Sequence, residues 1–217
     1  MAELTPEYID RMEDILRLYE KPWDPKEPVI CLDEKSLQLL EDVRPARPSR
    51  PGRTGKQDSE YVRRGTSNVF CGVEPQAGHH LTWVTKNRKA NTFAKIMGRI
   101  ARAYPGRKTR QMVMDNLNTH KEKSLTDYYG PGKGSQLWKA FTIHYTPKHG
   151  SWLNQAEIEI GLLSRQCLGK DRIASLKDLI RRVKAWNRKI NRKRVKINWT
   201  FTTGKARKTF NYCIDKY

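Results

Sequence analysis

The sequence predicts an α/β domain with a mixed five-stranded sheet flanked by helices on both faces. Three observations predict it. First, two short apolar runs, Val29-Ile30-Cys31-Leu32 and Met112-Val113-Met114, each end in an aspartate, Asp33 and Asp115. Runs of this length bounded by Pro or polar residues read as strands buried on both faces. Second, the periodicities give three strands, a helix, a strand, helical material, a strand and two helices, an order that packs as a covered sheet with right-handed parallel connections. Third, the stretch His144 to Gln166 brings a carboxylate, Glu157, to the opening turn of an apolar helix. An acid at the carboxyl end of a buried strand sits at the sheet rim, where ligands bind. Three acids from distant parts of the chain are therefore expected to converge on one rim.

Thr5 to Glu20 reads as a helix, with Pro6 at its first position and Tyr8, Met12, Ile15, Leu16 and Tyr19 on one stripe. The first strand is expected over Val29 to Asp33, continuing towards Leu40. Between Arg44 and Arg64 the chain becomes Pro- and Arg-rich, with Pro at 45, 48 and 51 and Arg at 44, 47, 50 and 53. Proline at every third residue favours an extended left-handed run that turns the arginines outward. Ser67 to Val73 and His80 to Thr85 read as a hairpin about a Pro-Gln-Ala-Gly turn. Asn91 to Ile100 is helical, with Phe93, Ile96, Met97 and Ile100 on one face. After the strand carrying Asp115 comes a weakly helical segment to about Lys139, then a strand over Phe141 to Tyr145. In the last helix Ser175 caps, and Leu176, Leu179, Ile180, Val183 and Ile190 face one way. This is the strand and helix order of a ribonuclease-H-like domain, in which Asp33 and Asp115 would lie on neighbouring strands.

The 217 residues suffice for one core, and 37% hydrophobic content with six Trp excludes a disordered chain. No apolar stretch approaches the ~20 residues of a membrane span, and the opening Met1 to Leu4 begins no signal peptide, so the default compartment is the cytoplasm. The formal net charge is +20, and from Gly161 to Tyr217 there are 17 Lys and Arg against 3 Asp and Glu. That imbalance implies a polyanionic partner, nucleic acid above all. Cys31, Cys71, Cys167 and Cys213 show no zinc or disulfide spacing, and the first two fall in strand-like runs.

Converging carboxylates on a basic protein suggest Mg²⁺ or Mn²⁺, for which carboxylate oxygen is a preferred ligand. Two such ions ~4 Å apart can activate an attacking oxygen and stabilise the leaving oxygen of a phosphodiester. Taken singly, Asp33 ends a strand, Asp115 suits an Asx-turn, and Glu157 stands where a capping arrangement with Asn154 would put an acid. Glu159 is a rival, but two residues further on it points about 200° round the helix. The inference rests on the constellation.

Cys31-Leu32-Asp33-Glu34-Lys35, Asp115-Asn116-Leu117-Asn118-Thr119-His120 and the run from His144 to Glu157 closely resemble bacterial insertion-sequence transposases of the mariner-like Asp-Asp-Glu superfamily. Arg50-Pro51-Gly52-Arg53, Gly65-Thr66-Ser67-Asn68, Glu74-Pro75 and Trp199 to Thr203 are similar to that family too, so the resemblance spans nearly the whole chain from about residue 8. It implies a linker helix over residues 1–24 and a ribonuclease-H-like catalytic domain over 25–217, with a basic loop at 44–64 and a basic helix at 175–191. It also implies Asp33, Asp115 and Glu157 as catalytic metal ligands, for two Mg²⁺ or Mn²⁺ ions. The implied activity is hydrolysis at transposon ends followed by strand transfer into target DNA, typically at TA, in a bacterial, nucleoid-associated setting. In mariner relatives the 44–64 region reaches the partner transposase, so a homodimer on DNA is implied.

Family members usually carry helix-turn-helix modules ahead of the catalytic domain, so a separate amino-terminal DNA-recognition part is a further expected partner. For DNA contacts the candidates are Arg47, Arg50 and Arg53, Lys148 and His149 in a Pro-Lys-His-Gly loop, and Arg181, Arg182, Lys184, Arg188 and Lys189 on the last helix. His120 is placed to reach the site from behind Asp115. Two alternatives stay open: a ribonuclease-H-like nuclease that cuts without joining, and a non-catalytic DNA-binding or dimerising remnant.

Overall fold

The computed structural model describes residues 4–45 and 47–213. Residues 1–3 of the expected linker helix segment, position 46 of the basic loop and residues 214–217 lie outside it. Helix α1 (Pro6–Glu20) is followed by strands β1 (Val29–Asp42), β2 (Tyr61–Glu74) and β3 (His79–Thr85), then α2 (Ala90–Ala103) and β4 (Arg110–Met114). Helices α3 (Glu122–Tyr129) and α4 (Pro131–Lys139), strand β5 (Phe141–Tyr145), and helices α5 (Ala156–Leu163), α6 (Leu176–Lys193) and α7 (Thr203–Phe210) complete the chain. The sheet has the order β3-β2-β1-β4-β5, antiparallel among the first three strands and parallel from β1 through β4 to β5. This is the mixed five-stranded sheet expected.

Strand pleating sends alternate residues to opposite faces. Ile30 and Leu32 of β1 join Met112 and Met114 of β4 beneath α2 and α3, packing on Phe93, Ile96, Met97, Ile100 and Leu125. Val29 and Cys31 join Val113 on the other face, against α1, the start of α5 and α7. A third cluster holds α6 to that same face further along, through Leu179, Val183, Trp186 and Ile190 on Val69 and Cys71. Trp186, absent from the expected apolar stripe of the last helix, is buried within it. Helix α1, expected as a linker ahead of the domain, packs as one of its layers: Met12, Ile15 and Leu16 are completely buried.

Several local expectations are corrected. β1 runs fourteen residues, to Asp42, so Asp33 lies inside the strand rather than at its end. Its outer half pairs with β2 from Tyr61, six residues earlier than expected, and between Tyr61 and Ser67 the two strands pair only with each other, as a ribbon outside the sheet. The Pro-Arg segment is not a continuous left-handed extended run. It folds back as a narrow hairpin, in which Arg47 and Arg50 donate their backbone N–H to the carbonyls of Lys56 and Arg53. Gly52 supplies the positive φ of 73° at the tip. The prolines alternate with these donors, so their missing N–H groups leave the pairing intact. The weakly helical segment is two helices, broken at Gly130, whose φ is 86°, and Pro131. A final helix, α7, was not expected; Thr202 caps it by accepting from the Lys205 N–H. Among the described residues no helix is long and apolar enough to cross a membrane.

Candidate active site

The parallel ladder between β1 and β4 pairs Val29 with Gln111, Ile30 with Met112 and Cys31 with Val113. Carried two residues further, that register sets Asp33 opposite Asp115, the first residue beyond β4. Asp33 shares the parity of Cys31, so it lies on the sheet face that α5 covers.

Glu157 reaches the same rim by a short chain of contacts. The buried side chain of Asn154 donates from Nδ2 to the Leu32 carbonyl at 2.9 Å and accepts from the Ala156 N–H at 3.1 Å. Tyr19 donates its hydroxyl to the Leu153 carbonyl at 2.8 Å. The first turn of α5 is therefore hung on the residue preceding Asp33. Asn154 spends its side chain on this anchor rather than on a capping box with Glu157. Glu157 is exposed in that first turn, near the positive end of the helix dipole.

The electrostatics register the convergence. Burial pushes the Asp33 carboxyl up to about 7, against the Glu34 N–H that donates to it, and the charges of Glu34, Asp115 and Glu157 push the same way. Asp115 is half-exposed, and its Oδ1 is shut from solvent. Carboxylates brought together at one rim suit a hard dication with oxygen ligands. Among the described residues, no three His, Cys, Asp or Glu are gathered tightly enough to enclose an ion by themselves.

Glu159 turns away from this centre as helix geometry requires: it is buried with Oε2 2.8 Å from Nδ1 of His80 on β3. His120 is buried against Asp115, with Nδ1 2.5 Å from Oδ1. Burial lowers its pKa, but the hydrogen bond to Asp115 and the charges of Glu34 and Asp115 outweigh that and leave it raised. Lys148 and His149 are exposed on the wall of a cleft of about 890 Å³ that also contains Asp115, Asn116, Tyr8 and Arg11. His149 takes a positive φ of 63° there.

The other candidates lie apart. Arg47, Arg50 and Arg53 are exposed on the hairpin at the far end of the β1–β2 ribbon. Arg181 and Arg182 are tied to Asp178 at 2.5 and 2.8 Å, and Arg182 also to Asp171, whereas Lys184, Arg188 and Lys189 are exposed on α6. Sequence reading missed the anchor made by Asn154, the cleft contribution of Arg11 and Glu34 behind Asp115. The one signal available was that Asn154 and Glu34 flank the motif acids.

The fold is similar to that of solved mariner transposase structures. The crystal structure of the Mos1 mariner paired end complex with Mn matches at 12% identity and a TM-score of 0.57, over 89% of this chain and 59% of that one. The Mos1 strand transfer complex matches at 13% identity and a TM-score of 0.57, over 86% and 56%. The pre-cleavage Mos1 transpososome matches at 11% and 0.54, over 92% and 66%. The chain thus spans about three fifths of the length of these structures, and its architecture is ribonuclease-H-like. No curated protein matches it. The model of the DDE superfamily endonuclease family matches residues 28–180, a stretch that includes Asp33, Asp115 and Glu157, and the chain belongs to that family.

Proposed function

We propose that this chain is the catalytic domain of a transposase, hydrolysing DNA at transposon ends with divalent metal and joining the freed 3′-hydroxyl to target DNA at TA sites. What supports the reading is that the β1–β4 register sets Asp33 opposite Asp115 and the Asn154–Leu32 bond ties the start of the Glu157 helix beside Asp33, within a chain of the DDE endonuclease family.

Asp33, Asp115 and Glu157 are the residues that would hold Mg²⁺ or Mn²⁺, with water and substrate phosphate as further ligands. When bound, a pair of such ions supplies activation of the attacking oxygen and stabilisation of the leaving one. The chain's own part is to set the geometry. The adjacent strands β1 and β4 set two carboxylates at neighbouring positions, Asp115 directly after β4, and Asn154 and Tyr19 fix the start of the helix bearing the third. Lys148 and His149 line the cleft beside Asp115 and would hold the DNA backbone there. Lys184, Arg188 and Lys189, with Arg181 and Arg182 less available, would add affinity without sequence readout. Arg47, Arg50 and Arg53 stand on a projecting hairpin suited to a partner subunit or DNA, in keeping with a homodimer on DNA. Recognition of terminal repeats is assigned to a separate amino-terminal part, and the expected setting is the bacterial nucleoid.

The test is a pre-nicked transposon end with its 3′-hydroxyl exposed, incubated with a TA-containing plasmid and Mg²⁺ or Mn²⁺. Joined product that disappears in Asp115→Ala and Glu157→Ala is the expected result. Cleavage without joining would favour a nuclease, as the family's endonuclease description allows. Tight DNA binding with neither reaction would favour a non-catalytic remnant.

A further inference from the structure

Glu34 has no part in the site as described so far. It follows Asp33 on β1, so pleating turns it to the opposite face of the sheet, towards α2. Its side chain is 2% exposed, and among the described residues neither carboxylate oxygen accepts a hydrogen bond. The cationic groups nearest it are His120, with Nε2 3.6 Å from Oε2, and Arg88, with Nη1 3.8 Å from Oε1 on a largely exposed side chain.

His120 is fixed from several directions. Its ring stacks on Phe93, with centroids 4.5 Å apart and 29° between planes. Its backbone N–H donates to the Leu117 carbonyl at 2.9 Å, and its own carbonyl accepts the Tyr145 hydroxyl at 2.7 Å. Held in this way, the imidazole presents Nε2 to Glu34 and Nδ1 to Asp115. Nδ1 lies 2.5 Å from Asp115 Oδ1 and 3.3 Å from the Asp115 carbonyl. Asp115 Oδ1 is shut from solvent although its side chain as a whole keeps 39% exposure, which leaves Oδ2 as the oxygen available at the rim.

We propose that Glu34 and His120 are a positioning pair, reaching round the end of β4 from the opposite face of the sheet to fix the Asp115 carboxylate so that Oδ2 meets a divalent cation in one orientation. The proposal rests on Asp115 being a metal ligand, as in the function proposed above. Groups one step removed from a metal commonly set its affinity by orienting the ligand, and their loss costs about 10- to 100-fold. A filler role would ask only for the ring on Phe93, which phenylalanine also provides. The asparagine amide nitrogen, in contrast, stands close to where Nδ1 stands in histidine.

The experiment measures Mn²⁺ binding to the whole chain without DNA, by the electron paramagnetic resonance of free Mn²⁺, beside thermal melting in metal-free buffer. Glu34→Gln and His120→Phe are expected to weaken Mn²⁺ binding about 10- to 100-fold while melting as the wild type does. His120→Asn is expected to recover most of the affinity, and Asp115→Ala to lose it. Folded His120→Phe with wild-type affinity, alongside loss in Asp115→Ala, would overturn the positioning role and leave the metal reading standing. Wild-type affinity in Asp115→Ala would overturn the metal reading itself. Should His120→Phe fail to fold, Glu34→Gln decides: unchanged affinity overturns the proposal and weakened affinity supports it.

Discussion

Glu13 and Glu34 are both buried glutamates, and their surroundings are opposite. Glu13 on α1 is completely buried, yet Arg207 Nε donates to it at 2.8 Å, Arg207 Nη2 at 2.9 Å and the Tyr212 hydroxyl at 3.0 Å, with Arg17 paired as well. Those bonds, the Arg207 bond foremost and against the effect of burial, hold its pKa below the usual glutamate value. Glu34 is as deeply buried, has no hydrogen-bond partner among the described residues, and burial holds its pKa above the usual value. A satisfied buried carboxylate ties elements together; here it joins α1 to α7 from opposite ends of the chain. An unsatisfied one costs stability, because the desolvation of its charge is not offset. The Glu13 cluster thus holds the fold, and the Glu34 cluster, which includes His120 and Asp115, sits behind the candidate site.

The largest expected effect lies on the unsatisfied side. Asp115→Asn or Glu157→Gln should lower DNA cleavage by about 10³-fold or more, since the stabilisation supplied through the metal is worth several kcal/mol. For Glu157→Gln, thermal melting in metal-free buffer should stay level or rise, because a repelling charge is removed. A drop in melting temperature equal to that of a core substitution would place Glu157 with Glu13 instead.

Next come matched leucine substitutions. Glu13→Leu strands the Arg207 and Tyr212 donors and should lower the melting temperature by several degrees. Glu34→Leu should leave it unchanged or raise it, as apolar replacement of poorly paired buried charges often does, by about 1–4 kcal/mol. Melting curves of the two variants with the same sign would remove the contrast.

The same carboxylate sets a pH dependence. A glutamate whose folded pKa is lowered contributes stability that is complete above its ordinary value of 4.5 and is lost as pH falls through the lowered folded value. The wild-type melting temperature should therefore fall on acidification below that point, and Glu13→Gln should flatten this part of the profile. An unchanged profile would show that other carboxylates govern acid unfolding.

The smallest effect extends the contrast to α6. Lys184, Arg188 and Lys189 are exposed and make no ion pair among the described residues, whereas Arg181 and Arg182 are already held by Asp178. Removing one of the first three should reduce the slope of log affinity against log salt by about 0.9 for each DNA phosphate that side chain neutralises. Arg181→Ala should change it less. DNA-binding titrations over a salt series measure both.

Much of this was legible in the sequence, and the reasons for the rest are physical. Apolar runs revealed β4 and the buried start of β1, and the helical stripe gave α2, because burial on a regular face leaves a period. The outer half of β1 pairs with β2 alone and mixes Ser36, Gln38, Glu41 and Asp42 with its leucines, so its apolar pattern is weak. The Pro-Arg segment departs from its expected conformation because local proline preference is outweighed by a turn at Gly52 and two backbone bridges. Asn154 and Glu34 were visible as letters but not as roles, since each acts through a partner across the fold: the Leu32 carbonyl for one and His120 for the other. Glu13 could be read as part of an amphipathic helix, but its arginine lies 194 residues away in sequence.

The measurement that tests the central claim most directly replaces the 3′-bridging oxygen at the scissile phosphate by sulfur and compares Mg²⁺ with Mn²⁺. If Asp33, Asp115 and Glu157 hold an ion against the leaving atom, cleavage of the sulfur substrate should fail with Mg²⁺ and return with the softer Mn²⁺. The return should be absent in Asp115→Ala. Equal cleavage of the sulfur substrate with Mg²⁺, or its rescue by Mn²⁺ in Asp115→Ala, would contradict the account.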